Sequence, residues 1–124
     1  MATMLQRFWY LLTQLGWKDK HLEMLKRYGV TSFKNIGMVQ QEELVNELQE
    51  EWNSRSQRPR GTVIHYLCIM PGYNYQKAGR PDYEKINQWV ASKFNGKNLN
   101  QLSLSELNTA VTAVKQWYRK QLKQ

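Results

Sequence analysis

Apolar residues along this chain recur mostly at steps of three and four, the spacing of one face of an α-helix. The most regular run is Leu104, Leu107, Val111, Val114, Tyr118 and Leu122, which Ala110 and Trp117 widen on one side. Ser103 precedes it with Glu106 three residues later, the form of a capping box in which hydroxyl and carboxylate each take a free backbone N–H. Upstream, Thr3 is placed to cap a helix running to Leu15, apolar on most of its circumference and ended by Gly16. Asp19 is placed to cap a shorter helix through Tyr28, with Leu22, Leu25 and Tyr28 inward and Gly29 as its stop. Ser32–Ile36 has room for one helical turn. Val39 to Trp52 then reads as a helix with Leu44, Val45, Leu48 and Trp52 inward and Glu43, Glu47 and Glu51 in a stripe.

The pattern breaks at residues 53–61, Asn-Ser-Arg-Ser-Gln-Arg-Pro-Arg-Gly, a polar and basic stretch closed by Pro59 and Gly61 that reads as a linker. Apolar residues resume from Thr62 to Met70. Their β-branched members admit a strand, but the helical neighbours favour a helix, stopped by Pro71-Gly72. Tyr73 to Arg80 reads as a long loop. Pro81-Asp82 opens a helix through Phe94 with Ile86, Trp89, Val90 and Phe94 inward, Pro being suited to a first helical turn. Asn95-Gly96 ends it. The expected fold is all-α: one compact helical domain, residues 1–124, of about six to eight short helices, with halves 1–52 and 62–124 joined by the linker. The halves share an order of helix, glycine turn, helix, glycine stop and Glu-Leu helix. That order admits an internal duplication of three-helix halves, and equally the punctuation that any two helical triplets share.

Composition narrows the function by exclusion. Apolar residues at 41% with five Trp exclude a disordered chain, and no apolar run approaches the ~20 residues of a membrane span. The single cysteine, Cys68, forbids an internal disulfide. A cytoplasmic protein with no membrane partner is expected. The net charge of +8 is unevenly spread: residues 55–124 carry twelve Lys and Arg against Asp82, Glu84 and Glu106, whereas residues 1–54 are near balance. A basic half on a small domain suits a polyanion such as nucleic acid, and it also suits simple solubility.

At the level of order and punctuation the chain resembles a known family. The segments Leu15-Gly-Trp-Lys-Asp-Lys-His-Leu-Glu-Met-Leu25, Tyr28-Gly-Val-Thr-Ser-Phe-Lys-Asn-Ile36 and Glu43-Leu-Val-Asn-Glu-Leu48 carry the likeness in the first half. Gly72-Tyr73, the run from Asp82 to Phe94 and Leu102-Ser-Leu-Ser-Glu-Leu107 carry it in the second. They resemble the GemA-type regulatory proteins of Mu-like phages and prophages, from which the loop Tyr73–Arg80 and the basic linker depart. The resemblance implies an all-helical, non-enzymatic protein tied to regulation of host transcription or DNA topology.

No catalytic or cofactor-binding signature stands out. His65 and Cys68 share a helical spacing, but zinc needs about four ligands and Cys68 sits in an apolar block that reads as core. Glu42, Glu43, Glu47, Glu50 and Glu51 crowd one helix rather than facing each other across a cleft. There is no phosphate-binding glycine loop. The candidate chemistry is nucleic-acid contact. Tyr73 and Tyr75 interleave with Lys77 and Arg80 in one loop, rings suited to stacking on bases beside cations suited to phosphate. The same loop also reads as tyrosines folded onto the core. Arg58 and Arg60 in the linker, and Lys115, Arg119, Lys120 and Lys123 on the last helix, are the further candidates. The last group also complements the helix dipole. Nucleic-acid association with little base readout is therefore the first expectation. A protein-interaction adaptor acting on a host protein, through its acidic helix or an aromatic patch, is the alternative.

Overall fold

The computed structural model describes residues 3–123; Met1, Ala2 and Gln124 lie outside the described residues. The described chain is helical apart from one two-stranded hairpin. It falls into two compact units, Met1–Arg55 and Ser56–Gln124.

In the first unit, α1 (Met4–Leu15) starts with a full capping box. The Gln6 N–H donates to Thr3 Oγ1 at 3.1 Å while the Thr3 N–H donates to Gln6 Oε1 at 2.9 Å. Gly16, at φ +74°, turns the chain out of the helix in the left-handed conformation that glycine takes without penalty. The inner face of α1 is Phe8, Leu11, Leu12 and Leu15, and the Phe8 ring stacks on Phe33 at 4.5 Å. The Asp19 cap is not formed. A 3₁₀ turn, Lys18–Lys20, precedes α2 (His21–Lys26), which has no side-chain cap. α2 buries Leu25 and leaves Leu22 49% exposed, contrary to its expected inward position, and it ends at Lys26, short of the half-buried Tyr28. A second 3₁₀ turn, Phe33–Asn35, follows, and the Gln41 amide donates to the carbonyls of Phe33 and Ile36.

The expected linker is helix. Residues 53–61 lie inside α3, a single element from Met38 to Cys68 of 31 residues, about 46 Å long at 1.5 Å per residue. The boundary between the units falls within it, between Arg55 and Ser56. Pro59 has no N–H to give the Arg55 carbonyl four residues back, and helix-interior proline costs ~3 kcal/mol. Burial on both sides of that rung outweighs it. Leu44, Val45, Leu48 and Trp52 are buried before it, Ser56 within it, and Val63 and Leu67 after it. Five α-helices among the described residues, rather than six to eight, follow directly, because one helix replaces two and the short apolar turns are 3₁₀.

In the second unit the expected loop is a hairpin. Strands β1 (Gln76–Lys77) and β2 (Arg80–Pro81) pair antiparallel, Gln76 opposite Pro81 and Lys77 opposite Arg80. The two connecting residues, Ala78 at φ +54° and Gly79 at φ +76°, are both left-handed, as a type I′ turn requires. Pro81 is therefore strand, and Asp82 caps α4 (Tyr83–Lys93) by accepting the Lys85 N–H. After a left-handed Asn95-Gly96 stop and a 3₁₀ turn, Leu99–Gln101, α5 (Leu104–Leu122) begins with the expected box. The Ser103 N–H donates to Glu106 Oε1 at 3.0 Å and the Glu106 N–H to Ser103 Oγ at 3.2 Å. Ile86, Val90, Leu102, Leu107, Ala110 and Val114 fill the core beneath.

Candidate nucleic-acid interface

All ten residues singled out for nucleic-acid contact belong to the second unit, but they do not form one surface. The hairpin brings Tyr73 and Tyr75 against α5. Tyr73 meets the Trp117 ring edge-on at 4.7 Å, and Tyr75 lies 6.4 Å from both Tyr73 and Trp117. Trp117 in turn lies parallel to Trp89 of α4, with ring centres 6.4 Å apart. The result is a four-ring cluster made by three elements.

Backbone and buried donors fix the hairpin in this position. The Tyr75 carbonyl accepts the Asp82 N–H at 2.8 Å and the Cys68 thiol at 3.8 Å. Burial pushes the Cys68 thiol pKa up, so it stays protonated and able to donate. Burial, then the neighbouring Tyr73, likewise raises Tyr75. Cys68 is thus a packing residue of the hairpin. His65 sits edge-on to Tyr66, and among the described residues no three His, Cys, Asp or Glu gather to hold a metal.

Two hollows flank the rings. One, of about 400 Å³, is lined by Trp89, Ser92, Lys93, Ala113 and Trp117. The other, of about 440 Å³, is lined by Tyr73, Asn74, Tyr75, Lys85, Gln88, Trp89 and Ser92. They share Trp89 and Ser92, so they are neighbouring hollows on one face, called the aromatic groove below. Its cations are Lys85, whose Nζ donates to the Asn74 carbonyl at 3.1 Å, and Lys93. Neither was singled out from the sequence, nor were the two tryptophans. A signal was present: Lys85, Trp89, Ser92 and Lys93 follow at helical steps, a polar-aromatic face beside the apolar one.

The other candidate cations lie elsewhere. Lys77 and Arg80 form a cross-strand pair at the hairpin tip, both exposed. On α5, Lys120 is about 60° from Trp117, but Lys115 and Arg119 are each about 160° from it, at 100° per residue. Lys115 stands over the Tyr66 ring at 5.9 Å, and Tyr66 packs edge-on to Tyr118. Lys123 lies just beyond α5 and is exposed. Arg58 is exposed on α3, about 140° round from Val63. Arg60 is half-buried and donates to Ser56 Oγ at 2.8 Å, so it is tied into its own helix rather than free in a flexible linker.

Two of the three acids of this unit serve as helix caps. Asp82 caps α4 and Glu106 caps α5 while pairing with Lys97 at 3.0 Å. Glu84 lies about 140° round α4 from Trp89. No acid is among the residues that line either hollow, and each hollow has one lysine. In the first unit the acidic stripe is partly neutralised, Glu47 by Arg27 at 3.0 Å and Glu51 by Arg55 at 2.9 Å.

Compared with protein-family models, with curated proteins and with solved structures, the chain finds no match. Among the described residues no helix is long and apolar enough to cross a membrane.

Proposed function

We propose that this protein is a non-enzymatic phage or prophage regulator of the GemA type that works in the cytoplasm and associates with nucleic acid through its second unit. The observation that carries this reading is the groove of Tyr73, Tyr75, Trp89 and Trp117 edged by Lys85 and Lys93, with the unit's acids engaged or turned away. That unit holds eleven Lys and Arg against three acids, a surplus suited to phosphate contact with little base readout. Lys77 and Arg80 at the exposed hairpin tip add to the unit's cations away from the hollows. A gel-shift series across salt concentrations tests it: affinity falls steeply as salt rises, linearly on a log–log plot. No shift of any nucleic acid at low salt defeats the reading.

A second reading is a protein-interaction adaptor, favoured by exposed apolar residues on the first unit. Trp9 is 37%, Tyr10 52% and Leu22 49% exposed, and Trp9 packs on His21 at 5.0 Å, which joins α1 and α2 on that side. The paired state of Glu47 and Glu51 makes this apolar side, rather than the acidic stripe, the docking candidate. Substituting Tyr10 and Leu22 with Ser abolishes partner capture under this reading and leaves nucleic-acid binding untouched.

A further inference from the structure

We infer that the aromatic groove is a single-strand site that takes unpaired bases, about one in each hollow, an inference that rests on the nucleic-acid reading above. Duplexes present base edges in their grooves and keep the base faces stacked inside. Aromatic side chains gain from nucleic acid chiefly by stacking on base faces, which only unpaired strands offer. The rings here are presented for that use. Tyr73 is 51% exposed and Trp117 half-buried; Tyr73 rests edge-on against Trp117, which lies parallel to Trp89, itself only 8% exposed. The hollows beside them, about 400 and 440 Å³, are open and fall within the volume range of small-molecule clefts.

The charge pattern fits a strand rather than a broad duplex backbone. Each hollow holds one lysine, Lys93 in the first and Lys85 in the second. Eight residues apart on one helix, they are separated by about 12 Å along its axis, so they flank the rings at the two ends of the groove. The remaining polar lining, Asn74, Gln88 and Ser92, is neutral. It offers hydrogen-bonding groups to base edges without opposing the phosphates. The stripe Lys115–Arg119 faces away and is not used.

Fluorescence anisotropy of the full chain tests this with three labelled probes at one salt concentration. They are an oligothymidylate of about fifteen nucleotides, an abasic strand of the same length, and a matched duplex. The thymidylate strand binds at least tenfold more tightly than either other probe. Tyr73→Ala and Trp117→Leu each weaken it roughly tenfold while leaving the abasic and duplex affinities unchanged. Tyr73 is exposed, so its variant carries the test if Trp117→Leu loses helicity by circular dichroism. Equal, salt-sensitive binding of all three probes overturns the single-strand inference and leaves the phosphate-contact reading standing. No binding to any probe at low salt overturns both. Displacement of thymidylate by polyglutamate as readily as by unlabelled strand overturns the inference in favour of an acidic protein segment.

Discussion

Replacing Glu106 with Gln separates the charge of the α5 capping box from its hydrogen bonds. Glu106 accepts the Ser103 N–H at 3.0 Å and both of its oxygens accept from Lys97 Nζ, at 3.0 and 3.1 Å. Glutamine keeps an oxygen for Ser103 but loses the charge. What disappears is the attraction of a carboxylate to a helix N-terminus, about 0.3–1 kcal/mol, and the pair with Lys97. Because that lysine is 45% exposed, the pair contributes only about 0.2–1 kcal/mol. The expected loss is about 1 kcal/mol at neutral pH, or roughly 4 °C in Tm for a chain of this size. The pH dependence is the sharper test. The Ser103 N–H, then Lys97, holds the Glu106 carboxyl below the usual carboxylate range, while burial opposes them. A depressed native pKa gives stability that is full above the unfolded value and lost as pH falls through the native one. The difference between wild type and Glu106→Gln in urea denaturation therefore shrinks towards zero on acidification. A difference equally large in acid, or none at pH 7, refutes the assignment of this stability to the charge. Ser103→Ala removes the other arm of the box and costs about 1 kcal/mol, with a weaker pH dependence, because the Ser103 hydroxyl is the smallest of the causes that lower the Glu106 carboxyl.

Other substitutions probe other links. Pro59→Ala gives the Arg55 carbonyl its missing N–H and stabilises the chain by about 2 kcal/mol, the helix-interior penalty less the entropy the unfolded chain regains; a lowered urea midpoint contradicts this. Ala78→Asn places a residue tolerant of the left-handed region in the type I′ turn and stabilises the hairpin by about 0.5–1 kcal/mol, read from slower amide exchange at Lys77 and Arg80. Lys93→Ala lowers the log–log salt slope of nucleic-acid binding by about one, whereas Glu84→Gln on the far side of α4 leaves it nearly unchanged.

What was legible in the sequence was local. Thr3 and Ser103 with their partners three residues on, and Gly16, Gly29 and Gly96 as stops, act over four or five residues and can be read without the fold. Residues 53–61 misled because their composition argues for a loop, while burial of Ser56 within them and of Trp52 and Val63 on either side belongs to a helix. The hairpin hid for a different reason. Ala78 is not a residue that announces a left-handed turn, and the pairing it permits is only two residues long. At the candidate site, Tyr73 and Tyr75 stood out as aromatics among cations in a polar stretch. Lys85 and Lys93 did not, since their importance comes only from α4 setting Trp89 beside Trp117. The α5 cations stand as candidates beside the loop because their angular distance from Trp117 has no meaning until Trp117 is known to face the hairpin.

The interrupted rung of α3 has a consequence for proteolysis. Helices ordinarily resist trypsin because cleavage needs several residues of locally extended chain, and they yield first at their ends. In α3 the rung without a hydrogen bond lies deep inside the element, and Arg55, Arg58 and Arg60 surround it. The Arg58–Pro59 bond is itself a poor substrate, which leaves Arg55–Ser56 and Arg60–Gly61. Limited digestion should therefore open this 31-residue helix near its middle before it erodes from either terminus, and release fragments that end within a few residues of the Arg55/Ser56 boundary.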